Sequence, residues 1–220
     1  MVFNSGWLKL DHAMNDRLKP QNVKEACIKE ALAIVARDGI EHLSLREVAR
    51  RLSISHQTPY RHFKSRDHLL AELVAHAYRD FANVLAAAAN QPDPDQALAA
   101  MGIAYLDYAA REPLAYRLMF GTPLPPASDH PTMMSEARRG FDLLVHALTR
   151  RHAAISERAT YATDDAEHDA MFIWSTLHGF ASIRSSSAFD TLEINHDHAN
   201  AMIGHMLTRI GKGIGSAEQD

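Results

Sequence analysis

Twenty residues, Ser44 to Phe63, restrict the fold of this chain more than any other stretch. Leu45, Val48, Ala49 and Leu52 recur at helical spacing along one face. Ser44 stands just before that run and Glu47 three residues after it, the pattern of a capping box. Ser53-Ile54 then breaks the period, and Ser55 is suited to cap a second short helix ending near Arg61 or His62. Pro59 falls at the edge of that helix's first turn, where its missing N–H removes at most one backbone bond. The second piece is too polar and too short for a core helix. It gathers His56, Gln57, Thr58, Tyr60, Arg61 and His62, and Phe63 is expected to plug back into a small core with Ile54. A short polar helix braced by an apolar one is a shape that enters a DNA major groove. There, base edges meet donors and acceptors, and phosphates meet cations.

The rest of the chain reads as helix and connection. Val23, Cys27, Ala31, Ile34 and Val35 form a buried stripe over about 20–38, and Gly39 supplies a stop that tolerates a left-handed backbone. A longer helix runs over about 65–90 through Leu69, Leu70, Leu73, Val74, Ala77, Phe81 and Leu85. Asp93 as cap, Pro94 at the first position and Gln96 at the third mark the start of a helix over about 94–110. Pro113 opens a short helix to about Phe120, and the proline-rich stretch 121–131 is a loop. Helices over about 132–152, 164–187 and 196–212 follow. No sustained period-two pattern occurs, so the expected fold is all-α, with about nine helices. The expected domains are a tail over 1–18, a three-helix DNA-binding domain over 19–66, and a regulatory and dimerisation domain over 67–214. Residues 67–90 form the connecting helix, and 215–220 form a second tail.

The net charge of −4 argues against a nucleic-acid partner only when taken over the whole chain. Residues 1–70 carry 12 Lys and Arg against 8 Asp and Glu, whereas 71–220 carry 11 against 19. The basic part coincides with the two-helix segment, and the acidic part is expected to face away from phosphate. No apolar run approaches the ~20 residues of a membrane span. The first nineteen residues lack the apolar core of a secretion signal. A single cysteine, Cys27, allows no disulfide framework within the chain. A cytoplasmic protein is expected.

Residues 20–70 resemble the DNA-binding domain of TetR-family transcriptional regulators. The likeness is carried by Gly39, by Leu45-Arg46-Glu47-Val48-Ala49, by Thr58-Pro59-Tyr60-Arg61-His62-Phe63, and by Lys64-Ser65-Arg66-Asp67 with Leu69-Leu70. The second half resembles the branch with a Trp-x-x-x-His-Gly signature, here Trp174, His178 and Gly179, and Tyr105–Phe120 resembles it too. The resemblance and the chemistry of the side chains together imply roles. Tyr60, His62 and Lys64 fit phosphate contacts, and Ser44 at a helix start fits another. His56 and Gln57 are the best placed to touch bases, Gln pairing with adenine in bidentate fashion. Arg46 suits a guanine or a phosphate, and Thr58 a thymine methyl or a phosphate. Ser55 and Arg61 complete the interface, and Arg17 and Lys19 in the tail can add backbone or minor-groove contacts. Pro59 departs from the leucine common in the wider family, although the Trp-His-Gly branch often has proline there.

The resemblance also implies that two helices of the second half pair with those of another subunit. Gly179, Ser182 and Ser186 would allow near approach, as would Gly204, and Ala199, Ile203, Met206, Leu207 and Ile210 form an apolar stripe. The same stripe could instead pack within one chain. A sensing pocket for a small, largely apolar ligand is expected among Met101, Tyr105, Tyr108, Met119 and Phe120, with Phe141, Leu144, Phe172, Trp174 and His178. Each of these residues also suits plain core packing. Trp174 and His178, four apart, read as a stacked pair. No cofactor is expected. No metal is expected: two helical turns separate His198 from His205, ~10 Å, too far for one ion without a third element, and His196 with His198 suits a ligand pair on a loop but not on a helix. The expected function is a dimeric repressor that leaves a palindromic operator when its ligand binds. A regulator without a small-molecule inducer and a metal-dependent helical enzyme stand as alternatives.

Overall fold

A computed structural model describes residues 20–155, 163–192, 194 and 196–214. Among these residues the fold is all-α, with no strand. The chain forms two compact units. One comprises the residues up to Tyr78 together with Leu114–Glu136, and the other comprises Arg79–Pro113 with Ala137 onward.

The first unit begins with α1, Pro20–Asp38. Its apolar stripe is buried as its spacing predicts, with Cys27, Ala31 and Ile34 at 0% exposure. Gly39 stops α1 at φ +94°, ψ 163°, a conformation that a side chain would strain, and a Cβ there would also meet Glu41. A single 3-10 turn, Ile40–His42, leads to buried Leu43 and then to α2, Leu45–Arg51. Ser44 caps α2 by accepting a hydrogen bond from the Glu47 N–H at 3.1 Å. The Glu47 carboxylate does not close the second half of a capping box. It bonds Arg50 and Arg51 instead, because two guanidiniums lie within reach one turn on.

After α2 the chain reverses at Ser53, whose φ of +53° is the only positive value among the described non-glycine residues. The Ser53 N–H donates to the Arg50 carbonyl and the Ile54 N–H to the Ala49 carbonyl, which makes a Schellman stop with serine where glycine is usual. The expected second α-helix does not form over Ser55–His62. The segment is a set of turns ending in one 3-10 turn, Pro59–Arg61. Pro59 contributes: it has no N–H to return to the Ser55 carbonyl, which accepts from Thr58 at three-residue spacing instead, although the Phe63 N–H still reaches Pro59 O at 2.9 Å over four. Thr58 N–H reaches Ser55 O at 2.9 Å, Arg61 reaches Thr58 O at 3.2 Å, and His62 reaches Pro59 O at 3.0 Å. Phe63 is fully buried, whereas Leu52 and Ile54, expected in the core, stay half-buried.

The helix α3, Arg66–Ala88, buries Leu69, Leu73, Val74 and Ala77 completely. Most of α5, Pro113–Phe120, and the loop after it belong to the same unit. There the Tyr78 hydroxyl donates to the Met119 carbonyl at 2.8 Å, and the Phe120 ring meets those of Tyr78 and Tyr116. Burial pushes the Tyr78 hydroxyl up to about 12, so it stays a donor.

The second unit is built around α4, Pro94–Arg111, which packs on α7, Thr163–Arg184, and on α9, His196–Gly213. Asp93 caps α4 through the N–H groups of Asp95 and Gln96, and Pro94 holds the first position, as its sequence predicts. The long α6, Pro131–Ile155, ends in a polar clasp. Buried Arg151 donates to Asp95 and to the Ile214 carbonyl, and buried His152 pairs with Asp169 on α7 at 3.1 Å. The helix expected to reach residue 187 ends at Arg184, and Ser187–Asp190 forms a separate single turn, α8. Both tails lie outside the described residues.

The left-handed Ser53 generates a prediction. Such a conformation costs an L-residue about 1 kcal/mol more than it costs glycine. Ser53→Gly should therefore raise the thermal midpoint by roughly 2–4 °C in calorimetry. A midpoint at or below that of the parent chain would show that serine is not strained there.

Candidate nucleic-acid interface

The interface is assembled on the small core of the first unit. Leu43, Leu45, Val48, Ala49 and Phe63 are at most 3% exposed and hold α2 against its neighbours. With those residues turned in, the polar positions between them turn out. Arg46 on α2 is exposed, as are Ser55, His56, Gln57, Tyr60, Arg61 and Lys64. Tyr60 exposes 45% of its surface, a high value for an aromatic residue in a domain that buries so many others. Ser44, Thr58 and His62 are half-buried. The Ser44 hydroxyl oxygen already caps α2, leaving its O–H for another acceptor. His62 packs its ring beside Phe63 at 6.3 Å, so it is partly a core residue. The Lys64 N–H donates to His68 Nδ1 at 3.1 Å, and the His68 N–H donates to Ser65 Oγ, closing the start of α3. One short stretch, 44–64, thus carries the whole set. Arg17 and Lys19 lie outside the described residues.

An ion-pair network that sequence spacing did not single out holds α2 to α1. Arg51 is only 15% exposed and donates to Glu47 on its own helix and to Asp38 at the end of α1, with Glu30 at 3.7 Å. Hydrogen bonds from Arg50 and then Arg51 hold the Glu47 carboxyl down at about 2. Arg51 and Arg37 lower Asp38 in the same way. The signal for Glu47 was its i, i+3 and i, i+4 spacing to two arginines, whereas the reach to Asp38 needed the fold.

The second-half candidates divide between the units. Met119 and Phe120 belong to the first, and the others to the second. Within the second, Phe81 brings Tyr105 and Tyr108 together, each ring centroid 5.2 Å from its own. The Tyr105 hydroxyl lies 3.3 Å from His178 Nδ1, and His178 Nε2 lies 3.4 Å from Ser182 Oγ. Burial lowers the His178 pKa, which favours its neutral form as a link in that chain. The Trp174 ring meets Phe141 at 5.9 Å. Met101, Tyr105 and Tyr108 are buried, and Phe141, Leu144, Trp174 and His178 are half-buried.

The surface of α7 and α9 separates in two. Ile210 is 7% exposed, and Leu207 lies against Gly102 of α4, where a Cβ would come within 2.6 Å of it. That part of the expected stripe packs within the chain. Ile203 and Met206 are half-buried. The side chain of Ala199 lies outside the described residues. Ser182 and Ser186 are exposed, and Cβ atoms added at Gly179 and Gly204 would meet nothing within 4 Å. Phe172, expected in the pocket, is instead 52% exposed, with Met171 at 50% and Ile183 at 54%. Sequence reading missed Met171 and Ile183, although both share a helical face with Gly179 and Ser182.

The fold and the exposed polar segment define a helix-turn-helix transcriptional regulator. Residues 28–73 match the family described as bacterial regulatory proteins, tetR family, and residues 98–209 match the tetracyclin repressor-like C-terminal domain. The chain belongs to the TetR family of transcriptional regulators. It is 25% identical over 191 residues to Rv0681, an uncharacterized helix-turn-helix transcriptional regulator of Mycobacterium tuberculosis, covering 87% of this chain and 81% of that one. The solved structure of the candidate regulatory protein SCO4313 superposes with a TM-score of 0.71 at 27% identity, over 87% and 96% of the two chains. PfmR, a TetR-family regulator of Thermus thermophilus, shares the fold with a TM-score of 0.60 at 19% identity, over 83% and 97%. Family and neighbours are regulators, not enzymes. No described helix is long and apolar enough to cross a membrane.

The Glu47 network makes the DNA-binding unit sensitive to acid. Its folded pKa lies below the ordinary 4.5, so its contribution is present above that value and lost as pH falls toward about 2. Urea midpoints of the parent chain should exceed those of Glu47→Gln at pH 7, and the gap should close as pH falls from 4.5 toward about 2. A gap that stays constant across that range would contradict the assignment.

Proposed function

We propose that the chain is a homodimeric repressor whose two exposed segments, one per subunit, read successive major grooves of a two-fold symmetric operator. His56 and Gln57 read bases, Arg46 and Thr58 reach a base edge or a phosphate, and Ser44, Tyr60, His62 and Lys64 fix register on phosphates, with Ser55 and Arg61 beside them. Such a regulator works in the cytoplasm, where its DNA lies.

The observation that carries the dimer is the outer face of α7. Met171, Phe172 and Ile183 expose apolar surface beside Gly179 and Ser182, with the open Gly204 on α9. Scattered exposed apolar residues are ordinary, but a row on one helical face marks a contact. Self-pairing of that face gives an isologous two-fold interface, and two-fold DNA matches it.

The ligand is a small, largely apolar molecule held in the second unit. The reading is supported by buried Met101, Tyr105 and Tyr108, by the Phe141–Trp174 ring pair and half-buried Leu144, and by the Tyr105–His178–Ser182 chain as a polar element. The ligand favours a state in which α3, unbroken from Arg66 to Ala88, tilts and changes the spacing of the two recognition segments. DNA affinity then falls by the difference in ligand affinity between the two states.

Selection from random duplexes with the purified full-length chain tests this function. The parent chain should sediment as a dimer and enrich a palindrome whose half-site centres lie one helical turn, ~34 Å, apart. Phe172→Glu should sediment as a monomer with an unchanged far-UV spectrum and enrich at most one half-site. No enrichment by the parent chain, or a dimer that survives Phe172→Glu together with a Gly179→Leu change, would overturn the reading.

A further inference from the structure

The link between α1 and α2 is short: Gly39, the turn Ile40–His42, Leu43 and the capping Ser44. Two of its carbonyls are held by one side chain from a different element. Arg66, the first residue of α3, donates from Nη2 to the Ile40 carbonyl at 2.8 Å and from Nε to the Leu43 carbonyl at 3.0 Å. We propose that Arg66 is a positioning residue of the DNA interface: its fork clasps the 40–43 link and so fixes the direction of α2, and with it the recognition segment, relative to α3.

The geometry of the bonds supports this role. The peptide plane that carries the Leu43 carbonyl also carries the Ser44 N–H, and the plane is rigid. Holding that carbonyl therefore sets the orientation of the residue that caps α2. Leu43 itself is 1% exposed, so its side chain anchors the same point from the core side. A guanidinium offers its donors at fixed angles, and two bonds made together define direction as well as distance. The third nitrogen, Nη1, lies 3.6 Å from the Asp67 carboxylate. The group thus faces two carbonyls and an acid, which leaves it poorly disposed to serve phosphate. A second tie joins α3 to α1, Lys24 Nζ to Glu72 Oε1 at 3.1 Å. Arg51 joins α2 to the end of α1. Of these three ties, only that of Arg66 runs from α3 to the link itself. A shift in the first turn of α3 therefore reaches the 40–43 link through this clasp, while the recognition segment meets the same turn through Phe63 and Lys64 at His68.

Two substitutions separate positioning from charge and from plain stability. Arg66→Gln removes the charge and the fork. Arg66→Lys keeps the charge, but a single ammonium cannot reproduce the two bonds at the fork angle. Fluorescence anisotropy with the duplex selected by the parent chain, and with a scrambled duplex, is recorded over a range of salt concentrations. For each variant the thermal midpoint is measured alongside. The expected result is a loss of about tenfold in affinity for the selected duplex in Arg66→Gln and a smaller loss in Arg66→Lys. Binding to the scrambled duplex and the salt dependence should stay as in the parent. A salt slope that falls by roughly 0.9 per contact in Arg66→Gln, with parental affinity in Arg66→Lys, would make Arg66 a phosphate contact and overturn the proposal. Parental affinity in both variants, with or without a lower midpoint, would reduce the clasp to stability and overturn it too. If Arg66→Gln fails to fold, Arg66→Lys decides alone: weaker specific binding at unchanged salt slope supports the clasp, and parental binding overturns it.

Discussion

The burial of Phe63 and Leu43 beneath α2 is the constraint on which the DNA-binding unit depends. Both are at most 1% exposed, and with Leu45, Val48 and Ala49 they form the inner face of a very small core. Removing a buried aromatic of this size costs about 3–5 kcal/mol, a large share of the stability of a domain. That apolar contact decides that α2 exists, since a seven-residue helix is not stable alone. It does not decide the angle of α2, because apolar packing is weakly directional. Direction comes from Arg51 on Asp38, from Arg66 on two carbonyls, and from the two backbone points with positive φ, Gly39 and Ser53. The exposed Ser55, His56, Gln57, Tyr60, Arg61 and Lys64 are the consequence, because Pro59 and Phe63 between them are turned inward.

The second unit divides its helices between inner and outer work in the same way. On α9, Leu207 and Ile210 are spent on the chain itself, with Gly102 on α4 giving room for Leu207. On α7, Leu177 and Ala181 turn inward while Phe172 and Ile183 turn out. Arg151 and His152 lock the end of α6 to α4, α7 and the end of α9 through carboxylates and a carbonyl. A unit fixed at its periphery in this way keeps the outer face of α7 exposed while its aromatic rings pack inside.

Much of this is legible in the sequence. Helical periods, the Asp93-Pro94 start and the Gly39 stop yield the elements within a few residues, because each rests on local chemistry. The exposed set on 44–64 is legible for the same reason: polar residues between core positions have nowhere else to go. What escapes is whatever depends on partners distant in the chain or on how one residue's effect spreads. Pro59 reads as harmless at a helix edge, yet the segment around it forms turns and one 3-10 turn, and only the Phe63 N–H returns at four-residue spacing, to the Pro59 carbonyl. Phe172 looks like pocket lining because an aromatic among methionines reads as interior, and only the packing of α4 against the opposite face of α7 shows that it points out. Arg66 reads merely as part of a helix start, since its carbonyl partners lie 23 and 26 residues away.

The proposed function rests on the segment Ser55–Lys64 reading DNA, with Gln57 at a base edge. Replacing Gln57 by Glu and repeating the selection from random duplexes tests it most directly. A carboxylate accepts where the amide both donates and accepts, so the preferred base should change at a single position in each half-site while the rest of the palindrome persists. An unchanged consensus at every position would contradict the claim.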